Sequence, residues 1–275
     1  MAEKKAVTKK EEAALPIPMA DLELLSGQGF ENADKDSYAV PFLRILQPTS
    51  PQIEEGGPAY IEGAKAGLFL NTVSNTLLGR VLDIIPLHYG RDFVEWLPNR
   101  KGFVRSHGNN PAILERIATI DDKNISYLDN GNIIQDTRNH YVLLGDHLEL
   151  GPIILSLVST GIRHSRKWMS RMGALRIPGS DKQAPMFASV WTIESTRNSN
   201  DDGTWYQLGD KTTTSIEFAR WVNKKELDIA MAARDLVTSG TAKADYESTV
   251  DTSTTPDNSE KGPPPGMEEN GDVPF

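Results

Sequence analysis

The chain contains no cysteine. That excludes disulfides, thiolate metal sites and cysteine nucleophiles, and it fits a reducing compartment. No apolar run approaches the roughly 20 residues that cross a bilayer. The opening Met1-Ala2-Glu3-Lys4-Lys5 leads into a mixed-charge stretch rather than the apolar core of a secretory signal. The expectation is a soluble, cytoplasmic protein with no membrane contact. Also missing are a Gly-x-x-x-x-Gly-Lys-Ser/Thr phosphate loop and a Gly-x-Ser-x-Gly elbow. The histidines (His88, His107, His140, His147, His164) are scattered without ligand spacing. His140 and His147, with Asp136 and Asp146 nearby, make a metal site only on paper. No Asp-x-Asp or Glu-x-Lys pair stands in a strand context, as a metal nuclease would need. These absences predict no catalysis, no cofactor and no metal.

Basic residues are in the minority, and the net charge of −9 argues at first against a nucleic-acid partner. The charge is unevenly placed, however. From Gly240 to Phe275 there are eight acids and two bases, a net −6, so the other 239 residues carry only −3. Between Gly151 and Ser180 there is no acid at all, against Arg163, Arg166, Lys167, Arg171 and Arg176. The asymmetry matters more than the sum.

The chain divides by composition into a flexible arm over 1–35, with a short helix near Ala20–Leu25, a folded core over 36–239, and a disordered acidic tail over 240–275 too poor in apolar residues to order itself. Within the core, Tyr38–Leu46 is an apolar run that Pro41 confines to an edge strand or extended segment. Gly67–Val73 predicts a strand. Gly79–Trp96 predicts the longest one, with Pro86 and Gly90 as kink or bulge points. Pro111–Arg116 opens a short helix, and Asp129-Asn130-Gly131-Asn132 is a turn. Strands follow at Tyr141–Leu144 and Ile153–Val158. Ser159-Thr160 then caps a helix over Arg163–Met172. Met186–Ser195 and Thr204–Leu208 form a hairpin around a polar loop. A last helix starts near Thr214 with Glu217 completing a capping box, carries Phe218, Val222, Ile229, Ala233 and Leu236 on its apolar stripe, and stops at Gly240. Many short strands with a few helices give a mainly β fold, for which an OB-fold-like barrel elaborated by insertions is the expected architecture.

Three groups of residues are candidates for binding. In the Tyr89–Trp96 run, strand alternation puts Tyr89, Arg91 and Phe93 on one face, with Trp96 ending the run. Such a face can stack bases and hold phosphates, although each ring could equally fill the core. On a helix, Arg163, Arg166, Lys167 and Arg171 share one face, and no acid lies at the i,i+4 positions to balance them. That favours phosphate contact over a merely solvated stripe, and it leaves Trp168 for the core. Trp205 and Tyr206 flank a hairpin loop, where a base platform is available.

The end of the chain is the most specific feature. Acids lead into Asp272-Val273-Pro274-Phe275, which resembles the C-terminal tip of bacterial single-stranded DNA-binding proteins. Phe275 presents an aromatic ring and the α-carboxylate on one residue, so an apolar pocket beside an Arg or Lys can capture both. Pro274 reduces the freedom lost on binding. The runs Pro41–Pro48, Gly67–Thr72 and Ile85–Trp96 are similar to proteins of tailed-phage replication and recombination modules. Together the resemblances imply a phage-encoded protein of the host cytoplasm that binds single-stranded DNA without sequence preference. Its tip would recruit host or phage replication, recombination and repair proteins, and homo-oligomers are compatible with this role. A mediator acting through protein contacts and a metal-dependent nuclease are the alternatives.

Overall fold

The computed structural model describes residues 24, 28–29, 39–122, 124–201, 203–239, 243–244 and 246. In chain order the strands are β1 (Ala39–Val40), β2 (Leu43–Ile45), β3 (Phe69–Asn71), β4 (Thr76–Leu77), β5 (Val81–Trp96), β6 (Phe103–Ser106), β7 (Ile117–Ile120), β8 (Ser126–Leu128), β9 (Ile133–Leu144), β10 (Ile153–Val158), β11 (Ser189–Glu194), β12 (Thr196–Asn200), β13 (Gly203–Gln207), β14 (Ile216–Trp221) and β15 (Lys243–Ala244). Helices α1 (Ile162–Ala174) and α2 (Lys224–Thr238) interrupt them.

Strands β5 and β9 form an antiparallel spine, paired from Ile84–Leu144 to Trp96–Ile133. Their outer edges are shared by different partners at the two ends. At one end β11 pairs with the start of β5, β14 extends it, and β10 lines β9 over Thr137–Val142. At the other end β6 pairs with the last residues of β5, and β8 and β7 continue from β9. The sequence predicts β5 from its run over Gly79–Trp96, but of β9 only the end at Tyr141–Leu144. Pro86 opposes Val142 and His88 opposes Tyr141, so Leu87 is the extra residue of a bulge. That is where a central strand tolerates a residue without an N–H. Gly90 makes no such break and sits in regular register opposite Asn139.

Continuous apolar stretches such as Ile84-Ile85-Pro86-Leu87 signal burial on both faces. Accordingly, Ile84, Val142 and Leu144 pack with Trp168 and Met172 of α1 and with Phe69 and Leu43. Ile85, Leu87 and Leu143 pack with Ala230 and Ala233 of α2. The separate sheet β2-β3-β4 lies over the α1 side of this core. A third cluster gathers Phe42, Val94, Trp96, Ile133, Ile154 and Tyr246. The fold is therefore mainly β with antiparallel sheets, as the composition predicts. The large sheet runs from β14 to β7, and no pairing among the described residues closes it into a barrel. Among the described residues, no helix is long and apolar enough to cross a membrane.

Several local expectations are corrected. Residues 216–221 are a strand paired to β11, not the start of a helix. The last helix begins at Lys224, where Asn223 accepts from the Glu226 N–H at 2.9 Å and Glu226 accepts from the Asn223 N–H at 2.8 Å. Leu236, assigned to its apolar stripe, is 50% exposed. The hairpin is β12–β13, paired from Thr196–Gln207 to Asn200–Gly203, so part of the expected polar loop is itself strand. Ser159 does not cap α1: it opens a 3₁₀ turn over Ser159–Gly161 with φ of +49°, and Gly161 stands at the cap. The folded part also extends past 240. Strand β15 pairs in parallel with β1, and Tyr246 is 7% exposed, its hydroxyl donating to Asp92 at 2.8 Å and accepting from Asn139 Nδ2 at 2.6 Å. The helix expected near Ala20–Leu25 falls outside the described residues except for Leu24, which is helical.

Candidate nucleic-acid interface

Strand β10 is paired to β9 on one side only, and its outer edge, beyond a single bridge from Ile154 to Phe42, borders a cleft of about 640 Å³. Strand β2 and the turn at Gln47 form one wall, and β13 with Leu208 forms another. The Pro98–Arg100 3₁₀ turn and the Ser159–Gly161 turn close the ends. Its lining contains Arg44 and Arg100, the rings of Trp96, Trp205, Tyr206 and Tyr246, and the amides of Gln47, Asn99, Gln135 and Gln207. Among the described residues, its lining contains no Asp and no Glu. Guanidiniums in the lining of a cleft can meet the anionic groups of a ligand. Asn99 and Arg100 both hold left-handed backbone, φ +57° and +54°. Two successive non-glycine residues in this region are costly, and such strain concentrates at functional sites.

The sequence-selected residues divide. Trp205 and Tyr206 line the cleft and are half-buried. Trp96 borders it from below, yet it is only 7% exposed and packs edge-on against Phe103 at 5.9 Å, so it is chiefly core. Tyr89, Arg91 and Phe93 do share one face, opposite His140, Arg138 and Asp136. That face is turned away from the one that gives Trp96, Gln135 and Thr137 to the cleft. Phe93 is fully buried among Ile113, Leu128 and Ile134, which corrects its assignment as a base platform. Arg91 is bidentate to Asp136 at 3.0 and 2.7 Å, and Arg138 shares that carboxylate at 2.8 Å while donating to the Tyr89 hydroxyl at 3.0 Å. The Tyr89 ring rests 5.1 Å from His140, which is stacked 4.5 Å from Trp168. Burial first, then the Arg138 charge, pushes the His140 imidazole down to about 3. These groups serve the core and its rim. His140, hydrogen-bonded to Ser165 at 2.8 Å, and Asp136, taken by two arginines, are committed elsewhere than to a shared metal site.

The basic stripe on α1 is also largely engaged. Arg163 donates to the carbonyls of Lys211 (3.2 Å) and Asp210, Lys167 to that of Thr212 at 2.7 Å, and Arg171 to that of Ile216 and to the Glu217 carboxylate. The missing i,i+4 acids are replaced by carbonyls some 45 residues away. Arg166 is exposed and makes no such bond. Trp168 is fully buried, in the core as expected. Asp272, Val273, Pro274 and Phe275 lie outside the described residues.

Sequence reasoning missed Arg44, Arg100 and Tyr246. Arg44 had a visible signal: one cation inside the otherwise apolar Phe42–Leu46 run. Arg100 follows Pro98 in a polar turn and gave none.

A mainly β chain with a cleft of aromatic and arginine side chains beside strand β10 is the class the geometry defines. Within it, residues 9–243 match the family of Pam3 phage gp34-like proteins, and the chain belongs to that family. No curated protein and no solved structure matches it.

Proposed function

We propose that this phage-family protein is a non-enzymatic binder of single-stranded DNA and that the cleft along β10 is its site. The observation that carries the reading is the cleft itself, with arginines and aromatic rings in one wall system. Arg44 and Arg100 would hold phosphates, which carry no sequence information. Trp205 and Tyr206 would stack bases, an interaction every base can make. The amides of Asn99, Gln135 and Gln207 would satisfy base edges without a fixed code. The Asp272-Val273-Pro274-Phe275 tip would bring replication, recombination or repair proteins to the bound strand. A second reading has a specific support: the outer edge of β10, bridged among the described residues at Ile154, could accept an extended polypeptide along the rest of its length, as a mediator acting by protein contacts would require. Titration with labelled single- and double-stranded oligonucleotides decides between them. A single-strand preference that weakens with salt, without cleavage in Mg²⁺, supports the binder. Absence of any shift refutes it, and cleavage identifies a nuclease.

A further inference from the structure

Hairpin β12–β13 forms a two-stranded sheet of its own. Such ribbons are marginal alone, so its place beside the cleft depends on contacts with the body. Gln47 makes the most specific of these. Its Oε1 accepts from the Tyr206 N–H at 2.9 Å and its Nε2 donates to the Tyr206 carbonyl at 3.0 Å. One carboxamide thereby satisfies both backbone groups of Tyr206, as a neighbouring strand would. The amide is itself fixed, because Nε2 also donates to the Ile45 carbonyl at 3.1 Å and the Gln47 N–H donates to Ser50 Oγ at 2.8 Å. The Tyr206 ring is located independently. Gly67, at φ +89°, lies so close that a β-carbon there would fall 2.6 Å from the ring. The Arg80 guanidinium sits 5.5 Å from the ring centroid and is held by the Ala66 carbonyl at 2.9 Å.

We infer that Gln47 is a positioning residue that locks Tyr206 as a rigid stacking platform for one base of a strand in the cleft, with Gly67 and Arg80 holding the ring from behind. This rests on the single-stranded DNA reading and adds to it a device that acts before binding. A platform fixed in advance loses little freedom when a base arrives, so removing the lock weakens affinity without removing any contact to DNA. Gln47 carries no charge, so the salt dependence stays as it was.

The test titrates a labelled oligothymidine with wild type, Gln47→Ala, Tyr206→Ala and the double variant, and follows amide exchange at Tyr206 without DNA. Tyr206→Ala is expected to weaken binding about fivefold or more. Gln47→Ala should weaken it by about threefold or more, with an unchanged salt slope, and the double variant should be no worse than Tyr206→Ala. The Tyr206 amide should exchange roughly tenfold faster in Gln47→Ala while core amides keep their protection. Gln47→Met keeps the bulk of the side chain and should behave as the alanine variant does. Wild-type affinity in Gln47→Ala, multiplicative losses in the double variant, or an unchanged Tyr206 amide would each overturn the inference. Failure of wild type to bind removes the DNA reading and the platform with it. Normal wild-type binding with a silent Gln47→Ala removes the inference alone.

Discussion

Glu95 offers the sharpest test of the packing. Its carboxylate is 2% exposed. Oε1 accepts from Asn132 Nδ2 at 2.7 Å and Asn130 Nδ2 at 3.0 Å, while Oε2 meets Arg105 Nε at 3.1 Å and His107 Nε2 at 2.7 Å. This one side chain ties β5 to the segment after β6 and to the turn before β9. Burial alone would raise its pKa, but the four donors, Asn132 foremost, overcome that and draw it down from 4.5 to about 2. A group depressed in the folded state stabilises above its unfolded pKa and loses that contribution as pH falls through the folded one. This depression is worth about 3 kcal/mol, fully present above about pH 4.5 and lost progressively towards pH 2. Glu95→Gln keeps one acceptor and turns an NH₂ towards the other two donors. A His107 ring with its proton on Nδ1 accepts from it, whereas Arg105 cannot. One charge-assisted bond is lost and the others weaken, about 2–3 kcal/mol in all. Urea unfolding from pH 7 to pH 2.5 measures both quantities. The variant should be less stable at pH 7, and its curve should converge with wild type as the pH falls below about 4. Parallel curves over the whole range, or a variant as stable as wild type at pH 7, would refute the network.

Phe93→Ala should cost about 3–5 kcal/mol of stability and change oligonucleotide affinity only in proportion to the fraction unfolded. Thermal melts set beside binding at a temperature where both proteins are folded will show this. Arg171→Glu should loosen the start of β14 at Ile216 and Glu217, seen as faster amide exchange there, with the salt slope of binding unchanged. A lowered slope would return the stripe to the DNA path. Truncation after Tyr246 should leave the melting temperature as it is, while truncation after Gly240 should lower stability by about 2–4 kcal/mol through loss of a buried ring. Deleting Glu268–Phe275 or changing Phe275→Ala should abolish capture of replication or repair proteins. Identical proteins retained by full-length and shortened bait would end the tip reading.

What the sequence disclosed was local. The spine strand β5 and strand β10 were legible from β-branched runs, and α1 from its helical spacing. What it concealed was decided by distant partners. Thr214-Ser215-Ile216-Glu217 and Asn223-Lys224-Lys225-Glu226 both satisfy a capping-box pattern. Only the pairing of Ile216–Trp221 with Ser189–Ile193 makes the first a strand and leaves the cap to Asn223. The basic stripe was read as unbalanced because its balancing carbonyls lie beyond local view. The alternation that joined Tyr89, Arg91 and Phe93 was correct, but which face meets a core cannot be read from one strand. Residues 44, 100, 206 and 246 converge on the cleft only in three dimensions, and of these Tyr206 carries a local cue in its place beside a hairpin loop and Arg44 in being the one cation of an apolar run.

The central claim is that the cleft holds single-stranded DNA through Arg44 and Arg100. The most direct measurement is a salt titration of oligothymidine binding by wild type and by the Arg44→Ala/Arg100→Ala double variant, with a duplex of equal length as control. The account predicts single-strand preference in wild type and, in the variant, weaker binding with a log–log slope shallower by about 1.4, roughly 0.7 for each lost phosphate contact. A folded variant with wild-type affinity and slope, or a wild-type protein that ignores single strands, would contradict it.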